Sequence, residues 1–123
     1  MKAVIHSFSY CLDYLRDQVK DVADSDMVAQ PNGIINHPAW VIGHLTHACQ
    51  LLGGAIGLSP WLPQNWGERY GTGSMPVADA ARYGSKASAL ETLGDAQSRI
   101  IAAIAELTDA QLDVPFPVES YRH

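Results

Sequence analysis

The spacing of the apolar residues restricts this chain more than any other feature. Val4, Phe8, Cys11, Leu12, Leu15, Val19 and Val22 recur at steps that keep one face of a helix apolar. A second stretch carries two adjacent stripes. One is Val41, Leu45, Ala48, Leu52 and Ile56; the other is His37, Trp40, His44, His47 and Leu51. A third repeats the spacing with Leu90, Leu93, Ile100, Ile101, Ile104 and Leu107. No segment alternates apolar and polar residues as a half-buried strand would, and no internal repeat is present. The spacing therefore predicts an all-α chain of three long helices, most readily an antiparallel bundle.

Local chemistry sets the ends of these helices. Pro31-Asn32-Gly33 supplies a turn after the first. The second begins near Pro38, because proline lacks only an amide that a first helical turn leaves unpaired, and it pushes His37 out of helical geometry. It ends around Gly53-Gly54 or Gly57. The third has two overlapping starts, one capped by Ser85 and one by Ser88 with Glu91 completing a capping box. Thr108 with Gln111 can cap a further short turn, and two prolines keep the tail DVPFPVESYRH extended. Between the second and third helices, residues 58–84 hold three prolines, four glycines and two tryptophans, with at most a short helix around Val77–Arg82. A connection this long is commonly a lid or a binding loop.

With 123 residues the chain makes one domain, residues 1–123, and 47% hydrophobic against 17% charged content favours a folded core over disorder. A net charge of -5 with eight basic residues leaves no cationic stripe for a phosphate backbone, so nucleic acid is not an expected partner. No run approaches the roughly 20 apolar residues that cross a bilayer, and the N-terminus meets a charge at Asp13, so the cytoplasm is the default compartment. Cys11 and Cys49 form no disulfide framework or CxxC motif and are expected as two free thiols.

Three of the five histidines fall within NHPAWVIGHLTH, residues 36–47. His44 and His47 are three apart on a helix and point the same way, which lets one helix offer two imidazole ligands to a metal. A zinc site ordinarily needs three protein ligands and a water, or four, so another donor is required; His6 and His123 are the histidines left outside the segment. The alternative is that these are satisfied polar residues on a packed helix. Gly43 beside His44 makes room for a bound group or a neighbouring helix, and Trp40 reads as core. No Gly-x-Ser-x-Gly elbow, Gly-x-Gly-x-x-Gly turn or phosphate loop occurs, and neither cysteine sits in a Cys/His motif. The aromatic loop bearing Trp61 and Trp66 could cover a small molecule without catalysing anything.

The stretch NHPAWVIGHLTHACQLLGGAIG resembles the second helix of the DinB/YfiT-like proteins, with Trp-x-x-Gly-His its most specific part. WGERYGTGS, YGSKASALETL and ELTDAQLDVP follow in the order that family uses, and the likeness covers nearly the whole chain. The resemblance implies an up-down-down-up four-helix bundle holding a divalent metal, commonly nickel, zinc or iron, by three histidines. The first ligand maps onto His44, with His47 a weaker candidate, and Trp40 and Trp66 fall at the pocket. The other two ligands normally stand as His-x-x-x-His on a fourth helix, which this sequence lacks. The resemblance thus implies an incomplete metal site, in a protein related to metal-dependent hydrolases and thiol-dependent transferases. An uncovered helix face of about 400 Å² corresponds to roughly 10 kcal/mol of apolar exposure, so a homodimer or other homo-oligomer is expected. A non-catalytic interaction or dimerisation module is the rival expectation.

Overall fold

The computed structural model describes residues 2–115 and is helical, with no strand among them. Helix α1 spans Lys2–Val19, α2 Pro38–Ala55, α3 Trp66–Tyr70, α4 Lys86–Ala105 and α5 Asp109–Leu112. Short 3₁₀ turns occupy Asp24–Val28, Pro31–Gly33 and Ala80–Arg82. The three long helices are those the apolar spacing predicts. In the first linker, Asn32 and Gly33 both take positive φ, which the left-handed region permits most readily to these two residue types.

Helix α4 is the centre of the packing: it lies against both α1 and α2, and its Leu93, Ala96 and Ile100 are buried among Leu12 and Val19 of α1 and Ile42 and Cys49 of α2. Side-chain contacts give the directions. The Gln97 amide donates to the Phe8 carbonyl, Gly94 meets Leu12 and Arg16, and Lys86 reaches the end of α1. Rising numbers in α1 thus meet falling numbers in α4, and the pair is antiparallel. Gly53 meets Ile100, while Ala39 and Gly43 share a crevice with Ser88 and Ala89, so α2 and α4 run parallel. That is the up-down-down order. It also explains residues 56–85: a parallel neighbour must be reached by returning the length of an 18-residue helix, about 27 Å at 1.5 Å per residue.

The crossover is tied down. The Gln50 side-chain oxygen accepts the backbone N–H groups of Trp61 (2.9 Å) and Leu62 (2.7 Å). Gly53 then receives the Trp61 ring, which lies 2.7 Å from where a Cβ would stand. Of the two candidate starts for α4, Ser85 is the cap: its hydroxyl accepts from the Ser88 N–H at 3.1 Å. The Thr108 cap forms as expected, with the Gln111 side-chain oxygen accepting the Thr108 N–H at 3.0 Å. The tail from residue 116 onward, including His123, lies outside the described residues.

Among the described residues, one face remains uncovered. An apolar groove of about 180 Å³ runs between α1 and α2 with α4 as its floor, lined by Phe8, Leu12, Leu45, Cys49, Leu52 and Leu93. Leu45 is 41% exposed there, and Val4 is 60% exposed further along α1. The stripe beginning at Val41 is therefore the groove wall. The buried side of α2 is instead made of Ala39, Gly43, Thr46 and Gly53, small residues that allow close helix approach, around the fully buried Ile42. Both cysteines are free. Cys11 is exposed; Cys49 is buried, and burial pushes its thiol up to about 11, leaving it a neutral packing group.

Candidate functional site around His44 and His47

The histidine stripe of α2 faces α3 and the segment after it. Trp40 is buried, and its indole N–H donates to the Arg69 carbonyl (3.2 Å) and to the Ser74 hydroxyl (2.9 Å). One turn on, the half-buried His44 ring stacks on Trp40 with centroids 4.7 Å apart and planes within 12°. Its Nδ1 lies 2.7 Å from the Tyr70 carbonyl oxygen. A carbonyl only accepts, so Nδ1 carries the proton and the Nε2 lone pair is left for another partner. Metal-binding histidines are characteristically oriented in this way, by an oxygen that accepts from the ring nitrogen not facing the metal.

His47 lies under α3 at Gly67 and at Gly71, the residue that follows the helix. Its Nε2 is 3.3 Å from where a Cβ of Gly67 would stand, and its Cε1 is 3.4 Å from the corresponding point at Gly71. Burial lowers the His47 pKa, and the neighbouring charge of His44 lowers it further, so the ring is neutral near pH 7. His44 and His47 are thus brought together, both on α2.

His37, on the same stripe, is not available to a ligand. It is fully buried and serves as the α2 N-cap: Nδ1 accepts the Trp40 N–H at 3.1 Å and Nε2–H donates to the Val77 carbonyl at 3.0 Å. Both ring nitrogens are committed, and burial lowers its pKa despite the bond to the Val77 carbonyl. His6 is exposed on α1, away from this cluster.

Helix α3 is the element the sequence reading missed, having allowed only a short helix near Val77–Arg82. A 3₁₀ turn does form at Ala80–Arg82, but the turn that packs on the histidine stripe is Trp66–Tyr70. Trp66 donates its indole N–H to the Gly43 carbonyl at 3.0 Å and packs on Tyr70 at 4.8 Å. The room left by Gly43 is filled by the Tyr70 ring, which a Cβ would overlap. The available signal was the i, i+4 pair of aromatics in WGERY, Trp66 and Tyr70, which on one turn of helix point the same way.

A metal would need more than this pair. Among the described residues no group of three His, Cys, Asp or Glu side chains gathers in one place. The donor set of the described chain therefore does not by itself complete a three-ligand centre.

These features define a class: an all-helical bundle in up-down-down order, with an oriented Gly-His on its second long helix. The DinB superfamily matches this chain over residues 7–122, and the chain belongs to that superfamily. No curated protein and no solved structure matches it. No helix among the described residues is long and apolar enough to cross a membrane.

Proposed function

We propose that the chain is a DinB-superfamily protein whose His44 and His47 form a two-point site for a divalent transition metal such as nickel, zinc or iron. The observation that carries this reading is the 2.7 Å bond from His44 Nδ1 to the Tyr70 carbonyl, which fixes the tautomer with Nε2 free. The lowered pKa of His47 supports it, since a neutral imidazole binds metal without first losing a proton. Hydrolysis or thiol-dependent transfer on a small substrate would require further donors, from a second chain or from the substrate itself. Titration of tag-free protein with nickel or zinc in a calorimeter tests the site. Saturable one-to-one binding, weakened at least tenfold in His44→Ala and less in His47→Ala, is expected. Binding unaltered in His44→Ala would overturn the assignment.

The groove between α1 and α2 favours a second reading, a homodimerisation module. Its lining is almost wholly apolar, and Leu45 stands exposed at its edge. Sedimentation velocity separates the readings: a dimer that Leu45→Glu converts to monomer supports the module, and a compact monomer at all concentrations removes it.

A further inference from the structure

A second crevice lies on the other side of α3 from His47. It has a volume of about 140 Å³ and is walled by α2, α3 and the first turns of α4. Its polar lining consists of the hydroxyl residues Thr46, Tyr70, Tyr83, Ser88 and Thr92, with Trp66 as a further aromatic wall; the nearby cation is Arg69, beside Tyr70. We propose that this crevice binds a small neutral polyhydroxylated molecule.

The hydrogen-bonding state of the lining supplies the chemistry. Thr46 donates its hydroxyl proton to the Ile42 carbonyl (2.9 Å), and Thr92 donates to the Ser88 carbonyl (2.8 Å). Each therefore presents only lone pairs to a ligand. Tyr83 is in the opposite state: its hydroxyl oxygen accepts the Val77 N–H at 3.1 Å, which leaves its proton to donate. A ligand must then donate to the threonines and accept from the tyrosine. A hydroxyl group does both, and a polyol carries several on adjacent carbons. A carboxylate cannot donate to the threonines, and an ammonium cannot accept from the tyrosine. At ~30 Å³ per water-sized group the volume admits about five such groups, the scale of a triol or tetrol and below that of a drug-sized ligand.

The site stands apart from the metal reading. Tyr70 nevertheless belongs to both, its side chain lining the crevice and its carbonyl holding His44.

Saturation-transfer NMR on the full chain, with glycerol and erythritol as probes and glycerate and ethanolamine as charged controls of similar size, tests the proposal. Saturable transfer to the polyols and none to the controls is expected. Thr92→Val, at a half-exposed helix position that tolerates the change, should weaken polyol binding at least fivefold. Ala89→Leu, which fills the crevice from α4, should abolish it while thermal unfolding stays cooperative. Absence of saturable polyol transfer in the wild-type protein overturns the proposal, and so does binding that survives both substitutions unchanged. Nickel binding is measured separately, so loss of one site does not stand in for loss of the other.

Discussion

The ring of Tyr70 occupies the volume that a side chain at position 43 would fill. Gly43→Ala must therefore displace the ring, and with it the bonds from Trp66 to the Gly43 carbonyl and from His44 to the Tyr70 carbonyl. Overpacking of this kind costs about 1–3 kcal/mol. Urea denaturation should show a loss in that range, and Gly43→Ala combined with Tyr70→Ala should recover part of it by removing the clash.

His37 makes stability depend on pH. Its folded pKa lies below the ordinary value because burial disfavours the charged ring, so between the two values the unfolded chain binds more protons than the folded one. Stability contributed by the neutral cap is present above about pH 6.5 and is lost as pH falls through the folded pKa. Melting temperatures measured from pH 8 to pH 5 should decline at the acid end. His37→Asn retains a capping oxygen but cannot titrate; it should melt lower at pH 8, by about 1–3 kcal/mol for the lost Val77 bond, with a flatter acid limb. His47, whose pKa is also lowered, contributes equally to both proteins, so their difference isolates position 37.

Lys86 closes the C-terminal end of α1 from across the bundle. Its ammonium donates to the carbonyls of Val19 (2.9 Å), Lys20 (3.1 Å) and Val22 (2.6 Å), at and just beyond the last helical residue; the Val19 carbonyl also accepts the Val22 N–H. A cation at this end also meets the negative pole of the helix dipole. Lys86→Met keeps the stem and removes the charge. It should cost about 1.5–3 kcal/mol in chemical denaturation, with hydrogen exchange accelerated at residues 16–22 more than in α2.

Gln50 should govern the crossover locally. Gln50→Leu leaves two amides of the 61–62 segment without their acceptor, whereas Gln50→Glu keeps one. Limited proteolysis should cut Gln50→Leu faster than the wild type between residues 58 and 65. Equal cutting rates would show that the Trp61 ring in its slot at Gly53 suffices to hold the segment.

The long helices were legible because each repeats its apolar spacing over four or more turns, and their caps because Ser85, Pro38 and Thr108 carry local chemistry that acts within a few residues. The role of His37 was half legible. The following proline placed it at the helix start, but its partner Val77 is forty residues away and no local pattern indicates it. Thr46 belongs to neither apolar stripe and Gly53 is legible in the sequence only as a candidate helix end, yet both lie on the side of α2 turned toward α4 and the crossover, where small size matters more than hydrophobicity. Helix α3 was missed for a related reason: five residues carry too little periodicity to stand out, and the turn is held by bonds to α2. The pairing of His44 with His47 followed from helix geometry alone, whereas the hydroxyl-lined crevice, assembled from four separate stretches of chain, had no signature in the sequence.

The turn Trp66–Tyr70 presents the rings of Trp66 and Tyr70 to one side and Gly67, with Gly71 after it, to the other, and so forms a thin wall between the polyol crevice and the imidazole of His47. A single turn has almost no helical stability of its own; its place is borrowed from α2. Detachment of that wall would uncover the imidazoles at a small fraction of the free energy of global unfolding. Access to His44 and His47 is in that sense governed by the least self-sufficient part of the chain, while the long helices that carry them stay in place.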